Sequence, residues 1–306
     1  VVFFHWGSNP YGANEEIKSK LEGASLARIK MRAYGWADKT VSGAFTRYDE
    51  TVHLVPRAKF EAEWAKAGTR YCVADPGMAK NWFIKWYLVT PGGKTIVYRE
   101  WPDARRFGEW ALSPSEAEDG GGRKFDWRVG PAQRVGLLQG INEIKRMILE
   151  EEGWRWDYEK QAWDGSHAEK IERRLIDPRL GAEGIPSMDE GTSIIDLMEC
   201  EGHDGRMVLA PMFWEAAPAS HVSEGVGLLN EQMSFDGERP VAADNCPAWY
   251  VVDDLEQTKL AYREYTLAGS QRDALKDIVD PDRYFVKAGL GYVSPDMWRP
   301  RGGTYY

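Results

Sequence analysis

Three apolar runs rich in β-branched and aromatic residues follow one another in the first half of the chain. They cover Arg70–Ala74, Trp82–Thr90 and Lys94–Trp101, and the turn sequence PGGK separates the last two. Runs of this length, bounded by Pro and Gly, are typical of neighbouring strands joined by short turns. We therefore predict a three-stranded antiparallel meander.

A helical pattern comes next. Apolar residues recur at steps of three and four, which places them on one face of a helix that ends at the acidic residues 150–152; they are Val135, Leu138, Ile141, Ile144 and Ile148. We expect this helix to cover the sheet.

Strands and helices alternate in the rest of the chain. The pattern predicts a helical stretch over 166–174 that runs into a strand ending at Asp177, and a helix over Ser223–Met233 with Ser223 as its N-cap. It also predicts strands in RMVLAPMFW and WYVVDD, helical spacing from Leu255 to Tyr265, and a final helix near residue 281. This order favours an α/β fold, with a mixed central sheet flanked by helices.

Composition and charge narrow the class of protein. The 306 residues are 43% hydrophobic, which is enough for a sizeable core. No apolar run approaches the ~18 residues of a membrane span, and the three cysteines form no paired motif, so we expect neither a membrane protein nor a disulfide scaffold. The net charge of −9 counts only weakly against a nucleic-acid partner, because a metal centre concentrates carboxylates.

Two aspartates end apolar runs in the same way. Asp75 in YCVADPG and Asp177 in RLIDPRLG each precede a proline, and a glycine follows within four residues. Each could be an exposed acid at the end of a strand, or only the first residue of a turn, because Asp before Pro commonly begins one.

A third acidic cluster lies in LKDIVDPDRYF, with Asp277, Asp280 and Asp282. Pro281 suits the first position of a helix, which would make Asp280 an N-cap. Asp277 has no such explanation. Glu100, in YREWP, is a further candidate acid, with pairing to a nearby arginine as its alternative.

Convergence of these acids would make a site for hard divalent cations. Mg²⁺ prefers oxygen ligands and keeps several waters, so a few aspartates can hold it beside a substrate phosphate. Two such ions ~4 Å apart can promote phosphodiester hydrolysis. Basic residues close to the acids in sequence are candidates for contact with DNA: Lys80, Lys85, Arg173, Arg174, Arg179, Lys276 and Arg283.

Four motifs, taken in their order along the chain, resemble the nuclease domain of phage large terminase subunits. They are YCVADPG, IVYREWP, RLIDPRLG and LKDIVDPDRYF. The resemblance implies an RNase H-like fold of the resolvase and integrase superfamily. It also implies two Mg²⁺ or Mn²⁺ ions held by Asp75, Asp177 and Asp277, with Asp280 as an alternative or additional ligand.

The resemblance also implies a division of the chain. Residues 1–57 would be a linker or subdomain that follows the ATPase domain, which is absent from this sequence, and 58–306 the nuclease domain, with an insertion at about 103–165. The GKT at 93–95 has Leu88 where a phosphate-binding loop requires glycine, so no ATPase site is predicted there.

The function expected from the resemblance is that of a bacteriophage DNA-packaging endonuclease, which cuts concatemeric double-stranded DNA with little sequence specificity. In the full-length motor, its partners would be the portal protein and the small terminase subunit. It would act in the host cytoplasm, and the isolated domain would be a monomer. The alternatives are another RNase H-like nuclease, of the resolvase or transposase type, and a non-catalytic module that docks on the portal.

Overall fold

A computed structural model describes residues 43–77, 80–107, 129–183, 192–219, 221–267 and 272–294. The predicted lead-in before residue 43 and the Gly-rich part of the predicted insertion, 108–128, lie outside the described residues. No described helix is long and apolar enough to cross a membrane.

The described residues contain eleven strands. They are β1 (Leu54–Val55), β2 (Thr69–Asp75), β3 (Phe83–Val89), β4 (Thr95–Trp101), β5 (Arg155–Asp157), β6 (Ala162–Asp164), β7 (Ile171–Ile176), β8 (Gly202–Asp204), β9 (Met207–Leu209), β10 (Glu215–Ala216) and β11 (Trp249–Val252).

Ten α-helices surround these strands in the described residues. They are α1 (Glu50–His53), α2 (Arg57–Lys59), α3 (Ala104–Phe107), α4 (Pro131–Val135), α5 (Leu137–Glu151), α6 (Pro178–Ala182), α7 (Ile194–Glu199), α8 (Val222–Gln232), α9 (Glu256–Glu264) and α10 (Arg272–Lys287). A π-helical turn, Phe60–Trp64, follows α2.

Seven strands form one mixed sheet in the order β1-β11-β4-β3-β2-β7-β10. β2, β3 and β4 are the predicted antiparallel meander. β7 runs parallel to β2, and β11 runs parallel to β4. Helices flank this sheet, so the predicted fold class is confirmed, and the topology is consistent with an RNase H-like fold.

The predicted helix after the meander is α5. Ile141, Ile144 and Ile148 are buried in the core, as expected from their spacing. Val135 lies outside α5 because Gly136, at φ +87°, interrupts the helix just before it, and the Val135 side chain is 43% exposed. Leu138 lies on α5, but its side chain is 58% exposed, so the predicted apolar stripe is wrong at both Val135 and Leu138.

The helical stretch predicted over 166–174 is wrong, because Ile171–Ile176 is the strand β7. Its charged residues resemble a solvated helix face in the sequence. In the fold, Arg173 pairs with Glu215 of β10 and Arg174 pairs with the buried Glu152, so ion pairs satisfy both faces of the strand.

Two helix starts were also misplaced. α8 begins at Val222 with His221 as the N-cap, rather than at Ser223. α10 begins at Arg272 and contains Pro281 in its interior, so the N-cap role predicted for Asp280 is wrong. Proline lacks the N–H that would bond to the Asp277 carbonyl, a loss that normally breaks a helix. Burial of apolar residues such as Ile278 and Phe285 offsets this cost.

Part of the predicted lead-in segment packs on the sheet. β1 pairs in parallel with β11, and the Ala44 amide donates to the Tyr265 carbonyl at 2.8 Å. The boundary at residue 57 and the bounds of the insertion stay predictions.

A buried ion pair fixes α10 to the sheet. The Lys85 ammonium on β3 lies 2.5 Å from Asp282 Oδ2, and neither side chain has any exposed surface. The hydroxyls of Tyr87 and Tyr262 donate to the same carboxylate at 2.8 and 2.9 Å. Every carboxylate oxygen therefore has a partner, which is what a buried charge requires.

We predict that Asp282→Leu lowers the free energy of unfolding by about 3–5 kcal/mol, because it leaves the buried Lys85 ammonium without the carboxylate that bonds to it. Urea denaturation measures the change. Lys85→Met combined with Asp282→Leu should cost less than the single substitution, since no charge is then stranded. A single substitution that costs under about 1 kcal/mol would contradict this account.

Candidate metal centre

Asp75 and Asp177 stand side by side at the ends of neighbouring parallel strands. Asp75 is the last residue of β2, and Asp177 follows β7 directly. The Asp177 amide donates to the Ala74 carbonyl at 3.1 Å, which continues the ladder one step beyond the strands. The repeated sequence pattern therefore corresponds to one edge of the sheet.

The turn after Asp75 is set by Gly77. A Cβ atom at this position would lie 2.5 Å from the Lys80 carbonyl oxygen, closer than real atoms approach. Glycine is needed here for a close backbone approach, which brings Lys80 back beside Asp75.

α10 crosses this edge of the sheet and supplies the third acid. Asp75, Asp177 and Asp277 line one cavity of about 500 Å³. Three basic residues, Lys80, Arg179 and Lys276, line it too. Of the predicted site residues, these three aspartates are the ones that share the cavity.

The Asp75 carboxylate differs from the other two acids of the cavity. Among the described residues no group donates a hydrogen bond to it. Burial raises the pKa of Asp75 well above its usual range, and the carboxylates of Asp280, Asp277 and Asp177 raise it further. A half-buried acid without protein donors and close to other acids is stabilised by a cation.

Asp177 combines two roles. Its Oδ1 accepts from the amides of Arg179 and Leu180 at 2.8 Å each, so it is the N-cap of α6. Its Oδ2 accepts from the Tyr284 hydroxyl of α10. These local contacts agree with the alternative prediction, in which Asp177 begins a turn. The residue nevertheless also lines the cavity.

Asp277 and Asp280 differ in exposure. Asp277 lines the cavity, and its Oδ2 lies 3.3 Å from the Lys80 ammonium. Burial raises the pKa of Asp277, and the Lys80 ammonium opposes that rise. Asp280 lies fully buried behind it, bonded to Lys276 at 2.5 Å and to the Arg283 guanidinium. Of the two, Asp277 is the acid open to a ligand.

Glu100 is not brought to the cavity. It lies on β4, an interior strand, and accepts hydrogen bonds from the amides of Gln257 and Thr258 at 2.9 Å each. The Thr258 hydroxyl donates as well, at 2.6 Å. Burial raises the pKa of Glu100 to about 7, and these donors and Lys85 limit the rise. Glu100 therefore holds the start of α9.

Some of the basic residues proposed for DNA contact are wrong. Lys85 and Arg283 are buried and bonded to Asp282 and Asp280, and Arg174 pairs with Glu152. These three basic residues neutralise acids in the interior. The sequence pattern alone could not distinguish them from basic residues on the surface around the cavity.

The contact that sequence reasoning missed is Tyr284. Its hydroxyl ties α10 to Asp177, the acid on the sheet. Tyr284 lies seven residues after Asp277 and four after Asp280, which is the spacing of one helix face. The signal was present in the sequence but required the helix to begin before Pro281.

The donor chemistry of the cavity fits a hard divalent cation. Carboxylate oxygens are the ligands that Mg²⁺ and Mn²⁺ prefer, and the unpartnered Asp75 carboxylate would gain most from one. Among the described residues, no three His, Cys, Asp or Glu side chains are grouped to hold an ion as they stand. Two lysines instead take up the oxygens of Asp277 and Asp280.

Comparison with known proteins finds no matching family model and no matching curated protein. Among solved structures, the chain is similar to the large terminase from a thermophilic bacteriophage, with 14% identity, a TM-score of 0.45, and coverage of 94% of this chain and 54% of that one. The same terminase in complex with ATP-gamma-S has 13% identity, a TM-score of 0.44, and coverage of 92% and 54%. The chain spans about half the length of these structures, and the function of the cavity has to follow from its own residues.

We predict that Asp75→Asn stabilises the metal-free protein. A raised pKa means that the folded state holds the Asp75 proton more tightly than the unfolded state does. Stability is therefore lost as the pH rises from the unfolded pKa through the folded one. Removing the charge should raise the free energy of unfolding at pH 7 by roughly 0.5–2 kcal/mol, the usual size of a stabilising change.

Asp177→Asn is the matched control, measured by urea denaturation with a chelator present. It should be neutral or destabilising, because Asn is also an N-cap but loses the charge-assisted bond from Tyr284. If Asp75→Asn is the more destabilising of the two, Asp75 is a structural turn residue.

We predict that Glu100→Gln lowers the free energy of unfolding by about 1–3 kcal/mol, because the amide NH₂ must face a backbone N–H that now lacks an acceptor. The number of Mn²⁺ ions bound, measured by equilibrium dialysis, should not change. A variant that folds as wild type but loses Mn²⁺ would instead assign Glu100 to the metal centre.

Proposed function

We propose that this protein is a metal-dependent endonuclease that hydrolyses double-stranded DNA during viral genome packaging. Its ions are two Mg²⁺ or Mn²⁺, held by Asp75, Asp177 and Asp277, with Asp280 behind them. The observation that carries the proposal is the Asp75 carboxylate, which has no hydrogen-bond donor among the described residues and lies in a cavity with two further acids.

Charge in the cavity supports a phosphate-bearing substrate. Lys80, with its side chain 57% exposed, and Arg179 line the same cavity as the acids. Cations at the rim can contact phosphate oxygens of either strand, whatever the bases, which fits cleavage with little sequence specificity.

The ions and the three aspartates have different roles in the proposed reaction. Bound divalent ions would supply the positive charge that activates water and stabilises the leaving oxygen of the phosphodiester. Asp75 would be the main ligand of these ions, because it alone of the three accepts no hydrogen bond from the described residues. The N-cap contacts of Asp177 hold its carboxylate in one orientation, which reduces the entropy lost when an ion binds.

The packaging role rests on the ordered set of four motifs. In the full-length motor, portal protein and small terminase subunit are the proposed partners, and the host cytoplasm is the proposed site of action. A resolvase or transposase would use the same acids. Preference for a four-way junction over linear duplex would favour that enzyme.

A second candidate is a non-catalytic module that docks on the portal. One observation favours it: Asp177 already has partners for both oxygens in α6 and α10. In this case Asp177 is a cap and an anchor, and nothing more.

We predict that the protein nicks supercoiled plasmid with Mn²⁺ or Mg²⁺ and loses the activity in EDTA. Asp75→Asn and Asp277→Asn should reduce the rate by at least the roughly 10–100-fold that loss of an outer-shell partner of a metal costs. Gel assays of nicked and linear product measure it.

The matched control is Asp157→Asn, an aspartate whose Oδ1 accepts only local amides in the β5–β6 turn. It should nick as wild type does. Nicking in EDTA, or full activity in both Asp75→Asn and Asp277→Asn, would rule out the proposed metal centre as the source of the activity. No nicking with either ion would rule out the nuclease and leave the docking module.

A further inference from the structure

The acids and bases around the cavity do not pair off one to one. Asp280 accepts both the Lys276 ammonium and the Arg283 guanidinium, and both Asp280 and Arg283 are buried. One buried guanidinium is sufficient to neutralise one buried carboxylate. The second cation at Asp280 is therefore in excess of that pair.

Lys276 is placed to use its excess charge inside the cavity. It lines the cavity together with Asp75 and Asp277, and its side chain is 24% exposed. Its ammonium lies 2.5 Å from Asp280 Oδ2. Lys276 is therefore a cation placed among the acids that would hold the divalent ions.

A further cation, which contacts Asp277, is held more loosely. Lys80 lies 3.3 Å from Asp277, and its side chain is 57% exposed. Solvent screens such a pair strongly. Lys276 is therefore the internal counter-ion of the cavity, and Asp75, which no described group bonds, is the acid that depends on it most.

We propose that the Lys276 ammonium holds one of the two cation positions while DNA is absent, so that the free protein binds one divalent ion and admits the second only when Lys276 moves away. This inference rests on the proposed function. A lysine suits the role because its ammonium is a compact charge on a flexible stem. An incoming phosphodiester gives it a second anion to bind, which couples DNA binding to completion of the metal site.

Lys276 is a positioning residue in this scheme, since it acts through the ions and not on the reacting atoms. Cleavage then requires both substrate and metal. Binding of DNA and of the second ion would promote each other by the same factor, as linkage requires.

The test is the number of Mn²⁺ ions bound by the full chain without DNA, from equilibrium dialysis and from the electron paramagnetic resonance signal of free Mn²⁺. We expect wild type to bind about one ion and Lys276→Met about two, with the first bound roughly tenfold more tightly, a typical coupling between sites. Lys276→Arg keeps the charge and should still bind about one.

Lys287→Met is the matched control, because it makes the same substitution on the same helix at a lysine that pairs with Glu224. It should bind as wild type does. The metal-free stability gives a second readout: Lys276→Met should be destabilising, and adding Asp75→Asn should recover most of the loss.

Equal numbers of ions in wild type and Lys276→Met, with no recovery by Asp75→Asn, would overturn the role of Lys276 and leave the nuclease intact. Absence of Mn²⁺ from every variant would overturn both. Two ions in Lys276→Met and one in Lys276→Arg would support the counter-ion.

Discussion

Like charges held close together at one edge of the sheet are the constraint on which the site depends. β2 and β7 run parallel and end at the same level, so Asp75 and Asp177 cannot move apart without breaking the ladder between them. α10 then adds Asp277 from above. Burial and then this repulsion raise the pKa of Asp75. Strain of this kind persists where the rest of the structure overdetermines it.

α10 is held firmly because each of its acids has a different partner. Asp282 binds Lys85 under the helix, Asp280 binds Arg283 within it, and Tyr284 reaches Asp177 on the sheet. These contacts compensate for Pro281, which removes one hydrogen bond from the helix interior. The contacts of Asp282 with Lys85 and of Tyr284 with Asp177 tie the helix to the sheet at two points. They keep Asp277 over the ends of the strands, where a more mobile helix would let it turn to solvent.

The sequence was informative where the signal is local. The meander follows from β-branched runs and a Gly-rich turn. The proximity of Asp75 and Asp177 follows from two strands that end in the same sequence pattern, an aspartate followed by a proline. The role of Lys85 could not be predicted, because a lysine in a strand gives no sign that a buried aspartate 197 positions later will neutralise it. Pro281 misled the helix assignment for a related reason: its usual place at a helix start is a statistical preference that tertiary packing overrides.

Glu100 and Asp177 illustrate the limit of identifying site residues by type. Both are acids beside a strand end, and both accept backbone amides at the start of a helix. They differ in the donors to their second carboxylate oxygen. The second oxygen of Glu100 accepts from the amide and the hydroxyl of Thr258 in the interior. The second oxygen of Asp177 has a single donor among the described residues, Tyr284, and the residue lines the cavity.

An ionised carboxylate offers about four lone-pair positions, so Asp177 can cap α6, accept from Tyr284 and still present one lone pair to an ion. Its capping contacts and its proposed ligand role are therefore compatible. The capping contacts fix the orientation in which Asp177 would bind an ion, since a carboxylate held by two amides cannot rotate away from the cavity. The cavity then combines acids held by the sheet and by α10 with two lysines beside them. Under the proposed role of Lys276, the position of this lysine decides when the metal site is complete.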